Sequence, residues 1–183
     1  DYVIGNPPYQ EVDGGSGASA TPVYNKFIEE TKTLNPTAMS FIIPAKWYSG
    51  GKGLDKFREQ MLNDKRMAVL VDYPNSLDVF PNVDVAGGVC YFVWAKSHDG
   101  KCYYINYRDG VKTSEYRDLN EFSTFIRYPI AAEIVKKVRL KGEQTLDTIV
   151  SSRKPFGLAT NVKPLKAGDI QLRFNGGIGP YKR

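Results

Sequence analysis

The sequence predicts an α/β fold. Three observations carry that expectation. Short apolar runs rich in β-branched and aromatic residues alternate with stretches whose apolar residues recur at helical spacing. Proline and glycine close the runs where strands should end. The chain has 183 residues, 42% of them hydrophobic, enough for one domain with a real core and the start of a second.

The elements follow in order. Tyr2–Gly5 reads as a strand, because Pro7 and Pro8 cannot donate to a ladder and Asn6 is steered away from helix by the proline after it. Val12 to Thr21 is small, polar and glycine-rich, the composition of a surface loop. Pro22 suits a first helical turn, and apolar residues at 23, 24, 27, 28 and 34 continue a helix. Ser40–Pro44 reads as a buried strand and Leu54–Leu62 as an amphipathic helix. Met67–Tyr73 and Gly88–Ala95 read as strands, a pair that could run antiparallel. Tyr103–Tyr107 is a short strand and Pro129–Leu140 a helix stopped near Gly142. From Thr145 the chain turns basic, rich in glycine and proline, and weakly patterned. A boundary is expected within 142–150, dividing 1–145 from 146–183.

Composition narrows the function. No apolar run approaches a membrane span, and no signal peptide is recognisable, so a soluble cytoplasmic protein is expected. Cys90 and Cys102 make no disulfide framework. With His98 as the single histidine, zinc-ligand sets and Ser-His-Asp chemistry are disfavoured. Cys90 is expected in the core and Cys102 at an edge or surface. A net charge of +5 is compatible with a polyanionic partner without demonstrating one.

The chemistry concentrates in "NPPY", residues 6–9. An exocyclic amine on a heteroaromatic ring is a poor nucleophile, because its lone pair is delocalised. Two acceptors fixed about 3 Å from that nitrogen draw on both N–H groups and return electron density to it. The Asn6 side-chain oxygen is one such acceptor, and the Pro7 carbonyl, on a backbone whose φ is locked, is the other. Pro8 stiffens the corner. Tyr9 offers a ring face for a base, worth roughly 1–3 kcal/mol by stacking. The plain alternative is a turn that merely ends a strand.

This signature resembles the catalytic motif of the amino-group DNA methyltransferases. "FIIPAKWYSGG" and "LDVFPNVDVAGGVCYFVWAKS" resemble later segments of their adenine-N6 branch with the gamma order of motifs. The likeness covers roughly residues 1–97 and points to the modification part of restriction–modification enzymes, including those fused to an endonuclease. It implies the C-terminal half of a Rossmann-like, S-adenosylmethionine-dependent methyltransferase sheet with an antiparallel last strand. The start of a target-recognition region would follow at 146–183. It implies catalysis by Asn6, Pro7, Pro8 and Tyr9, with Asn6 and Pro7 also bordering the cofactor. Phe80 is implied as the second ring against a flipped adenine; the alternative is a core aromatic beside Pro81. Lys46 would touch substrate, or is simply a lysine at a strand end. The implied partners are double-stranded DNA and the N-terminal half of the parent enzyme, which carries the main S-adenosylmethionine loop. "GGSG", "GGKG" and "GGIG" do not replace that loop, so the chain is expected to have little activity alone. Arg153, Lys154, Lys163, Lys166, Arg173, Lys182 and Arg183 would contact phosphates or form a solvated basic surface. The rival functions are methylation of RNA adenine or of a protein glutamine, and a non-catalytic DNA-binding module.

Overall fold

A computed structural model describes residues 1–11, 21–51, 53–150, 171–172 and 181–182. The chain divides into two compact units, Asp1–Lys137 and Val138–Arg183.

The first unit is built on a six-stranded mixed sheet. Its strands are β1 (Tyr2–Gly5), β2 (Ala38–Pro44), β3 (Met67–Tyr73), β4 (Val89–Ala95), β5 (Cys102–Arg108) and β6 (Val111–Arg117), in the spatial order β1-β2-β4-β3-β5-β6. β1 is parallel to β2, and β3 to β5. β4 lies antiparallel between β2 and β3, and β6 is antiparallel to β5. The expected antiparallel pairing of the third and fourth strands is therefore present. β1, β2, β3 and β5 all point one way, so their C-terminal ends share one edge of the sheet. Helices α1 (Tyr24–Thr33) and α2 (Asp55–Asn63) form the β1–β2 and β2–β3 connections. Helix α3 (Pro129–Leu140) follows the sheet, and the division between the units falls near its end.

Alternation explains the core. Met39, Phe41 and Ile43 of β2 are buried and sit in register with Trp94, Phe92 and Cys90 of β4. Leu70 of β3 continues this face, and Ile28, Phe57 and Met61 from the helices join the same cluster. Each large side chain removed from water contributes about 1.5–3 kcal/mol. Tyr24 meets Phe57 edge-on at 5.9 Å between ring centres.

Two sequence expectations need correction. Cys102 is no edge or surface thiol; it is 3% exposed, because β6 pairs along β5 and makes β5 an interior strand. β6 itself was not anticipated. Its residues are mostly exposed and polar, so no burial period marks it. The turn ahead of it does: Asp109 and Gly110 both have positive φ, 51° and 75°, the pairing a two-residue hairpin requires.

In the second unit, two two-residue strands, Gln171–Leu172 and Tyr181–Lys182, pair antiparallel. Of the expected phosphate contacts, only Lys182 falls in a described strand; the others lie outside the described residues, as does the loop over 12–20.

Candidate active site

Gly5 ends β1 against the Phe41 ring. A Cβ there would fall 2.6 Å from Phe41 Cε1, so glycine lets the strand finish close over β2. Asn6–Tyr9 then turns across the strand end. The chain returns beside this corner: Gln10 and Pro22 form an antiparallel bridge, Glu11 N donates to Thr21 O at 3.0 Å, and Val23 N donates to Tyr9 O at 3.3 Å. The return places Tyr24, the first residue of α1, next to the corner.

A cavity of about 640 Å³ opens here, at the C-terminal ends of β1, β2 and β3. Asn6, Pro7, Pro8 and Tyr9 form one side of its lining, Lys46 stands after β2, and Phe80 after β3. All six side chains expected at a site are thus brought together. Pro7 is buried and Tyr9 half-buried, whereas Asn6, Pro8 and Lys46 are exposed. The amide of Asn6 makes no side-chain hydrogen bond among the described residues, leaving its oxygen free to accept.

The wall bearing Phe80 is held by residues that sequence reasoning missed. Ser76 is 1% exposed and organises the loop from three sides. Its backbone oxygen accepts from Phe80 N at 2.8 Å, its hydroxyl donates to Val83 O at 3.0 Å, and the same hydroxyl accepts from Val85 N at 2.8 Å. Asn75 caps the turn by accepting from Leu77 N at 3.2 Å. The loop closes at Gly87 and Gly88, both with positive φ. At Gly88 a Cβ would meet Tyr73 O at 2.1 Å, so no other residue fits. Gly88 O accepts from Ala45 N at 2.9 Å, joining the loop to the turn that carries Lys46. Gly87 O accepts from Arg127 Nη1 at 2.7 Å.

The cavity's electrostatics are mild. Lys46 and Asp84 are its charged lining residues. Burial raises the Tyr9 and Tyr24 hydroxyls above the usual phenol range, with the nearby Cys90 thiol adding to the effect. Neither hydroxyl has a hydrogen-bond partner among the described residues. Among the described residues no group of three or more His, Cys, Asp or Glu could hold a metal ion. No described helix is long and apolar enough to cross a membrane.

In sequence, the part of the chain that bears this cavity is similar to restriction–modification methylases. Residues 1–80 match the Eco57I restriction-modification methylase family, so the match spans Asn6–Tyr9, Lys46 and Phe80 and stops short of Arg127. A protein of Mycoplasma pneumoniae described as an uncharacterized adenine-specific methylase is 33% identical over 104 residues, 55% of this chain and 25% of that protein. The chain thus spans about a quarter of this curated relative. Among solved structures, a type I restriction-modification methyltransferase subunit from Streptococcus thermophilus aligns with 79% of this chain and 32% of its own, at 14% identity and a TM-score of 0.42. A chain of another type I system aligns with 82% and 33%, at 14% identity and a TM-score of 0.45.

Proposed function

We propose that this chain is the catalytic segment of a DNA adenine-N6 methyltransferase that serves a restriction–modification system and uses S-adenosylmethionine. The observation that carries this reading is the cavity of about 640 Å³ shared by Asn6–Tyr9, Lys46 and Phe80. Its size lies within the roughly 300–1,000 Å³ of small-molecule sites, which leaves room for a base and the edge of a methyl donor.

The target adenine leaves the duplex and enters between Tyr9 and Phe80, at an unstacking cost of a few kcal/mol. The two rings repay part of it by stacking. Asn6 Oδ1 and the Pro7 carbonyl accept the two N6 protons, localising the lone pair on nitrogen. S-adenosylmethionine supplies an electrophilic sulfonium methyl. When bound it would give up that methyl to the lone pair the two acceptors localise, and the amino nitrogen would release one proton to water. Lys46, exposed at the cavity mouth, meets the nucleotide's phosphate side. Asn6 and Pro7 border the methyl donor. The remaining cofactor contacts are assigned to other parts of the whole protein, and this chain alone binds S-adenosylmethionine weakly; micromolar binding by calorimetry would refute that last point.

The decisive experiment is Asn6→Ala in the intact enzyme. Losing one preorganised acceptor should cost about 10²–10³ in rate, while DNA binding persists. Methyl transfer at the parent rate would sink the catalytic reading in favour of a DNA-binding module. Transfer to RNA or to a protein glutamine, but not to duplex DNA, would move the substrate.

A further inference from the structure

The Tyr24 hydroxyl lines the cavity and has no part in the methyl transfer proposed for it. Tyr24 is 2% exposed, it lines the cavity, and its hydroxyl oxygen has no hydrogen-bond partner among the described residues. A buried polar group left unmade costs about 1–3 kcal/mol. Such groups are rare and call for an explanation, a ligand or a water. The ring is fixed: its edge packs on Phe57 at 5.9 Å, and the Val23 N–Tyr9 O bond ties its neighbour to the Asn-Pro-Pro-Tyr corner.

The base presents a complementary need. With the amino group held by two acceptors, the atoms of a 6-aminopurine that flank it are N1 and N7. Both are acceptors, so each calls for a donor from the protein. Tyr9 meets the base with its face and cannot present its hydroxyl in the ring plane. Gln10 and Lys46 line the cavity but are exposed. Tyr24 is left as a buried donor. Its hydroxyl is held neutral, with the proton on oxygen, at any pH of interest.

We propose that Tyr24 is a specificity-determining residue whose hydroxyl donates to a ring nitrogen flanking the amino group of the bound adenine. The proposal rests on the adenine reading above. It explains how the site would do more than count N–H groups: a site built to bond a ring nitrogen rejects a base lacking it, because the hydroxyl is again stranded.

The test uses the intact enzyme and Tyr24→Phe, which keeps the ring and its packing. Duplexes carry adenine, 1-deazaadenine or 7-deazaadenine at the target position, opposite an abasic site to ease extrusion. Binding is read by fluorescence anisotropy and methyl transfer separately. The unsubstituted enzyme should bind one of the two deaza duplexes about tenfold more weakly than adenine, the size of one neutral hydrogen bond. Tyr24→Phe should bind adenine about tenfold more weakly and show no further loss with that analogue. Equal binding of adenine by both proteins overturns the proposal, as does a loss in Tyr24→Phe that is the same for all three bases. If the binding pattern holds but no methyl is transferred, the catalytic reading falls and the Tyr24 contact stands. If methyl is transferred without the pattern, the reverse follows.

Discussion

Arg127 grips Asp72 with both arms of its guanidinium, Nε to Oδ2 at 2.8 Å and Nη2 to Oδ1 at 2.6 Å, and its remaining amine donates to Gly87 O at 2.7 Å. Asp72 is fully buried and also accepts from Asn106 at 2.8 Å and from the Tyr104 hydroxyl at 3.1 Å. Burial alone would lower the Arg127 pKa; the hydrogen bonds and charge of Asp72 outweigh it and raise it. The planar fork suits this geometry as an ammonium would not. A residue beyond β6 thereby fixes the end of the loop that carries Phe80.

Replacing Arg127 by Met should therefore cost about 3–5 kcal/mol, since it strands a buried carboxylate. The double change Asp72→Asn with Arg127→Gln should cost less than Arg127→Met alone, because no charge is left unpaired. Urea unfolding midpoints of the three proteins check the order. A single variant as stable as the parent would show that the pair is not coupled to folding.

Ser76 tests the wall more gently. Ser76→Ala removes the hydroxyl that bonds Val83 O and Val85 N but spares the backbone bond to Phe80. It should lower stability by about 1–3 kcal/mol. If the wall positions the base, KM for DNA should rise more than kcat falls. Steady-state kinetics of the intact enzyme separate the two constants, and an unchanged KM would count against the wall's role.

How far the sequence could be read follows from where its signals are local. β1, β2, β3 and β4 announce themselves by apolar runs closed by proline or glycine, and the Asn6–Tyr9 corner by two adjacent prolines. Phe80 and Lys46 could be named because neighbouring segments resemble a known family. β6 hides because its side chains are exposed, although Asp109–Gly110 offered a hairpin signal. Tyr24 reads in sequence as one more apolar position of a helix. Its role depends on where the chain returns after residue 11, which no periodicity encodes. Asp72 and Arg127 are 55 residues apart, and their bond exists only through the β3–β5 pairing and the loop beyond β6.

The two thiols should be silent in the native protein. Cys90 is fully buried and Cys102 nearly so, and burial pushes each thiol up to about 12 from an ordinary 9.0. A disulfide reagent at pH 8 should label neither until denaturant is added. A raised thiol pKa means that the folded state keeps the proton. This contribution to stability is whole below pH 9 and is lost as the pH climbs towards 12. Fast native labelling of Cys102 would mean that β6 opens readily from β5.

Asp64 predicts the acid limb. It sits at the end of α2, its side chain 7% exposed, and joins three elements. It accepts from Lys32 Nζ of α1 at 2.9 Å, from Trp94 Nε1 of β4 at 2.9 Å, and from Arg66 Nε at 2.7 Å. Burial opposes ionisation, but the bonds from Arg66, Lys32 and Trp94 outweigh it and hold the carboxyl well below the usual range. A depressed carboxyl stabilises the fold fully above its unfolded value, 3.8. That stability drains away as pH falls further, because the unfolded chain takes up the proton first. Asp64→Asn should thus lower the unfolding free energy by about 1–3 kcal/mol at pH 7. The gap to the parent should stay constant down to pH 4 and then narrow. Guanidinium unfolding of both proteins between pH 7 and pH 2 tests this, and a gap that does not narrow below pH 3.8 would show that the Asp64 charge does not join α1, α2 and β4.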